Sequence, residues 1–157
     1  MEIILLSIGK KMPPWINEGK AEYERRLKYY VRFTAKSLPD IKDVKNRPID
    51  FQKDEEGKKF LSELNDGDFV VLLDEKGKES TSLEFSNWID KNLASGKKRL
   101  VFIIGGPYGF SQALYNRADA LISLSRMTFT HEMVPLIFTE QLYRAMTIIR
   151  GEPYHHV

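Results

Sequence analysis

Apolar positions along the chain change period several times, and each change predicts an element. Glu2 to Ile8 is a short, almost continuously apolar run ended by Gly9, Pro13 and Pro14, which predicts a first strand. From Trp15 to Tyr30, the residues Ile16, Tyr23, Leu27 and Tyr30 fall on one face at helical spacing, leaving Lys20, Glu24, Arg25 and Lys28 for solvent or a partner. Pro14 suits the first turn of that helix. Val31 to Leu38 predicts a second strand, and PDIKDVKNRP a polar, proline-bracketed loop. A charged helix follows from Ile49 to Leu64, anchored by Phe60, Leu61 and Leu64 and stopped by NDGD. Phe69 to Asp74 is a third strand, apolar on both faces, as in a parallel sheet covered by helices on each side. EKGKE then turns the chain. A helix from Ser82 to Leu93, a strand from Arg99 to Ile104, a short helix from Ser111 to Arg117 and a strand from Ala120 to Leu124 complete the alternation.

Strands alternating with helices predict an α/β fold: a mainly parallel sheet of five or six strands with flanking helices, in one domain over residues 1–157. The last element stands apart. Met133 to Ile149 carries Val134, Leu136, Ile137, Phe138, Leu142, Tyr143, Ala145, Met146, Ile148 and Ile149, too many for one stripe on a surface helix. Such a helix is buried on several sides. In so small a domain we expect a second copy of the chain to cover it through a twofold contact, the alternative being a central helix under the sheet.

Composition narrows the class. With 42% hydrophobic and 29% charged residues this is an ordinary globular chain, and no apolar run approaches the roughly 20 residues that span a bilayer. No membrane association is expected. MEIILLSIGKK has an acid at position 2 and no basic leader, so it reads as a strand rather than a signal peptide. Cysteine is absent, which removes disulfides and thiolate metal sites and fits a cytoplasmic location. The net charge of +2 advertises no nucleic-acid partner. Its distribution is uneven: from Lys10 to Lys36 there are eight basic residues against three acidic ones.

The candidate chemistry centres on IGGPYG, after the fourth strand. A dinucleotide-binding turn needs G-x-G-x-x-G and a carboxylate about 20 residues later; here the spacing differs, Ser125 stands at that distance, and Pro107 has removed an N–H that a phosphate would use. No Walker loop occurs. Three strand ends are distinctive, LLDEKG, IGGPYG and LSRMTFTHE, and in α/β sheets ligands sit outside such ends. Charged residues are scarce on the last two, so a neutral or cationic, partly apolar ligand fits better than a polyphosphate.

IGGPYG, then LSRMTFTHEMVPLIFTEQLYRAMTIIRGEPYHH, with the opening IGKKMPPW, resembles the SPOUT methyltransferase superfamily and, within it, the small single-domain RlmH family of ribosomal RNA methyltransferases. The resemblance extends over nearly the whole chain and is strongest in the C-terminal third. It implies a C-terminal deep trefoil knot, a homodimer, and S-adenosylmethionine-dependent methylation of N3 of a pseudouridine in the helix 69 loop of 23S ribosomal RNA within the ribosome. Related readings are a SPOUT enzyme with another RNA target, including a ribose 2′-hydroxyl, or a non-catalytic RNA-binding module. The implied cofactor residues are Leu73, Gly105, Leu124, Ser125, Arg126, Met127, Thr128 and Phe129. The implied catalytic residues are His131, which accepts the N3 proton or positions the ring, and the tail residues Tyr154 and His156, which complete the partner's site. His156 departs from the family, where Arg or Lys is common, and so does Tyr108, where Glu is common. RNA-contact candidates are Lys10, Lys11, Arg25, Arg26 and Arg144, with Trp15 as a stacking surface; taken singly, each basic residue reads as a solvated helix face and Trp15 as core. No metal is expected, because His131, His155 and His156 lack ligand spacing.

Overall fold

The computed structural model describes residues 1–9 and 11–156. Along the chain run β1 (Glu2–Ile8), α1 (Pro14–Leu27), β2 (Arg32–Leu38), α2 (Ile49–Ser62), β3 (Phe69–Lys78), α3 (Ser82–Leu93), β4 (Arg99–Ile104), α4 (Gln112–Arg117), β5 (Ala120–Ile122) and α5 (Met133–Ile149). The strands form one five-stranded sheet in the order β2-β1-β4-β3-β5, and every pairing is parallel. Parallel strands need crossover connections, and the helices that supply them cover both faces.

The strands' period of two divides the core. Ile3, Leu5, Val71, Leu100 and Phe102 pack with Leu27 of α1, Phe85 and Ile89 of α3, and Phe138, Leu142 and Met146 of α5. Ile4, Leu6, Val70, Leu72, Val101 and Ile103 pack on the other face with Phe60 of α2 and Leu114 of α4. Local signals agree with this division. Thr81 and Glu84 close a reciprocal capping box that starts α3, and Ser111 Oγ accepts from the Leu114 amide to start α4.

Two boundaries differ from expectation at one place. Predicted to stop at Asp74, β3 runs on to Lys78, with a register shift between Leu73 and Lys78, and β5 stops at Ile122 instead of Leu124. The polar segment after Asp74 has no apolar alternation, yet its backbone rejoins the sheet where the Ser123 amide donates to the Lys78 carbonyl at 3.0 Å. The cover of α5 also differs from the preferred reading. It lies against the sheet between α1 and α3, with Phe138, Leu142, Ala145 and Met146 at most 4% exposed, so most of its apolar surface is covered within one chain. Leu136, Ile137, Tyr143 and Ile148 stay half-buried.

Candidate functional site

The point where β3 shifts register after Leu73 lies beside the carboxyl ends of its neighbours β4 and β5, all three strands being parallel. Leu73, Asp74 and Glu75, the loop beginning at Gly105, and Thr128, Phe129, His131 and Val134 line a cleft of about 610 Å³. A smaller hollow of about 130 Å³ continues it between Leu73, Asp74, Ser123, Leu124, Ser125, Met127 and Phe129. Of the predicted cofactor residues, Leu73, Gly105, Leu124, Ser125, Met127, Thr128 and Phe129 are thus brought together. Arg126 is not: its guanidinium points outward to Glu79 at 3.6 Å and is almost fully exposed.

The loops are shaped by their own bonds. The Gly109 amide donates to the Gly106 carbonyl at 3.2 Å, closing a turn with Pro107 next after its first residue. Gly106 is needed for close approach, since a β-carbon there would sit 2.5 Å from Glu56 Oε2. In the last loop, Ser123 Oγ donates to the Ser125 carbonyl and the Met127 amide donates to Ser125 Oγ at 2.9 Å. At the rim, Asp74 accepts from the Tyr115 hydroxyl and from the Lys76 amide. Burial, reinforced by Asp74, pushes the Tyr115 phenol up to about 12, so it stays a donor that fixes the carboxylate.

His131 joins this cleft to a second cavity. Its Nε2 lies 2.8 Å from the Ile8 carbonyl at the end of β1. A carbonyl only accepts, so Nε2 carries the hydrogen and Nδ1 keeps a lone pair. The second cavity, about 420 Å³, is bounded by Gly9, Met12, Asp40, Val44, Gln52, Glu56, Pro107 and His131. Its deepest acid is Glu56, only 5% exposed, whose Oε1 accepts from Gln52 Nε2 at 3.0 Å. Burial pushes the Glu56 carboxyl up and the Asp40 charge adds to this, while the Gln52 bond and His131 oppose it. Neither Glu56 nor Gln52 was singled out from sequence. The available signal was spacing: Gln52, Glu56 and Phe60 lie four residues apart, which places the acid on the face that Phe60 anchors.

The remaining candidates stand elsewhere. Tyr154 donates to Glu140 Oε1 at 2.9 Å and packs edge-on against Tyr143. Burial, with the Tyr23 and Glu140 contacts, raises its phenol well above the usual range, so Tyr154 is a hydrogen-bond donor and no base. Arg144 is held between Glu140 and His155 Nδ1, and His156 is exposed; none of these residues lines its own chain's cleft. Arg25 and Arg26 share Glu22, and Arg26 also lies over the Tyr23 and Tyr143 rings. Hydrogen bonds from the two guanidinium groups, Arg25 first, hold the Glu22 carboxyl below its usual value. Lys11 is exposed, and Trp15, 59% exposed, is no core residue. Lys10 lies outside the described residues. Among the described residues no group of three His, Asp or Glu is placed to hold a metal.

A family model described as predicted SPOUT methyltransferase matches residues 1–155. The chain is 53% identical over 156 residues to a ribosomal RNA large subunit methyltransferase H from Parabacteroides distasonis, covering 99% of both chains. Proteins of that name from Christiangramia forsetii and Porphyromonas gingivalis are 51% and 48% identical, with the same coverage. Among solved structures, a probable methylase family protein from Haemophilus influenzae has a TM-score of 0.51 at 12% identity, covering 99% of this chain and 70% of that one, a likeness of fold.

Proposed function

The chain belongs to the SPOUT methyltransferase family, among the large-subunit ribosomal RNA methyltransferase H proteins, and from that premise we propose that it methylates N3 of a pseudouridine in the helix 69 loop of 23S ribosomal RNA, using S-adenosylmethionine. The observation that carries this is the convergence of the three strand ends on one cleft. Its volume suits a nucleoside-sized ligand, its walls include the apolar Leu73, Phe129 and Val134, and Asp74 and Glu75 at its edge suit a cation. Those residues fit the cofactor, with Leu73, Gly105 and the 124–129 loop holding it. When bound, S-adenosylmethionine supplies a methyl carbon made electrophilic by its sulfonium.

The chain's own tasks are alignment and proton removal. Gly105 makes room for Phe110 and Gly106 for the Glu56 carboxylate, which shapes the wall that the acceptor ring meets between the two cavities. The Ile8 carbonyl holds the Nε2 hydrogen of His131, fixing the ring and leaving Nδ1 to take the N3 proton. The same carbonyl then stabilises the imidazolium, as an orienting acceptor does in a catalytic triad. Lys11, Arg25 and Arg26 give salt-sensitive attraction to phosphates, and Trp15 offers a base a stacking face.

The working unit in this reading is a homodimer, each tail completing the partner's site with Tyr154 and His156. Supporting it, the tail is fastened away from its own cleft: Tyr30 donates to Glu152 Oε2 and Arg150 to the Tyr29 carbonyl. The trefoil knot belongs to the same proposal, its segment between β5 and α5 being the one that lines the cleft. The test is incubation with labelled S-adenosylmethionine and ribosomes lacking the modification, then mapping of the label. Label at N3 of a helix 69 pseudouridine is expected; label at another nucleotide or on ribose, or none despite bound cofactor, overturns the reading.

A further inference from the structure

Glu56 has no part in the chemistry above, yet it is a carboxyl carried almost fully out of solvent. Burying an acid is costly unless something meets it. One oxygen, Oε1, is met by Gln52, and Oε2 lies against Gly106 at the cavity wall with no side-chain donor among the described residues. Both residues line the second cavity, which has room for a flat six-membered ring and shares His131, Gly106 and Pro107 with the cofactor cleft. A ring standing at that shared wall turns one edge to the cleft and another to Glu56.

The chemistry of the acceptor decides which edge. Uridine has a single ring N–H, at N3, the atom that is methylated. Pseudouridine, joined to its sugar through carbon, has a second N–H at N1, on a flank diverging from N3. With N3 presented to the cleft, only the N1–H remains for an acceptor in the second cavity. The other acids there, Asp40 and Glu132, are solvent-exposed and discriminate poorly, because water replaces whatever they lose. Glu56, only 5% exposed, is reached by far less water.

We propose that the cavity between Gly9, Gln52, Glu56, Pro107 and His131 receives the target base, and that Glu56, oriented by Gln52, accepts the N1–H and so selects pseudouridine over uridine. This rests on the methylation reading above. A buried polar group left without its partner penalises the wrong substrate more than a lost surface contact would.

The test compares Glu56→Gln with wild type on two ribosome preparations, one carrying the helix 69 pseudouridines and one carrying uridines there. In the variant the amide oxygen stays with Gln52 and the NH2 faces the N1–H, donor against donor. Wild type is expected to prefer pseudouridine, and E56Q is expected to lose roughly ten- to a hundredfold in kcat/KM on those ribosomes while changing little on uridine ribosomes. Gln52→Met, which keeps the acid but removes its orienting amide, is expected to move the same ratio less far. Equal losses on both preparations, no loss on either, or a wild type without preference overturns the assignment to Glu56. Absence of N3-methyl product from wild type on both preparations overturns the function together with it.

Discussion

At His131 the proposed chemistry reduces to which ring nitrogen holds the hydrogen. Because Nε2 faces a carbonyl, the reactive lone pair belongs to Nδ1, and His131→Ala removes both the acceptor and the tether to Ile8. We expect that variant to lower single-turnover rate by about a hundredfold, the range of a lost general base, while cofactor affinity by titration calorimetry changes little. Unchanged turnover removes His131 from the mechanism. Glu56 gives an opposite sign for stability. Burial raises its folded-state value above the unfolded one, so the wild type loses stability as pH rises through that interval and carries the cost at neutrality. Glu56→Gln is therefore expected to be at least as stable as wild type at pH 7 and to lose that advantage near pH 4, by urea unfolding at both values. His131 was legible because it stands in a motif that resembles a family's. Glu56 was not: in the run DEEGKK nothing distinguishes a solvated acid from a buried one until Gly106 is seen against it.

At the scale of elements, the direction of the tail is set where α5 ends. Gly151 has φ of 69°, its amide donates to the Ile148 carbonyl, and the Glu152 amide donates to Thr147, the double bond of a Schellman cap. That cap turns Tyr154 back onto Tyr143 and Glu140. Gly151→Ala puts a β-carbon in the left-handed region, and we expect a loss of about 1 kcal/mol with a larger proportional loss of activity, read from melting and methylation assays together. A normal rate in a destabilised protein separates the tail from the site. The elements themselves were largely legible, since strands such as Phe69–Leu73 are apolar on both faces. What periodicity missed was the extension of β3 to Lys78, because backbone bonding to β5 holds that segment with no apolar side chain to announce it.

For the whole molecule, the many-sided apolarity of α5 pointed to a partner for a reason the single chain largely removes, since α1, α3 and the sheet already cover it. A stronger ground for a dimer is functional. Tyr154, His155 and Arg144 form a network on the α1–α5 side of the chain, away from its own cleft, and the proposal gives them the partner's cleft. If tails act in trans, deleting Tyr154 to Val157 abolishes activity with little loss of fold, and the damage is repairable by a subunit whose own chemistry is dead. Chains carrying His131→Ala are inactive through the base; tail-deleted chains are inactive through the partner's missing tail. Refolded together in equal amounts, half the dimers are mixed and each has one complete site, so roughly a quarter of wild-type activity is expected to return. A tail acting on its own chain gives no complete site in any dimer, and the mixture then stays as inactive as its components.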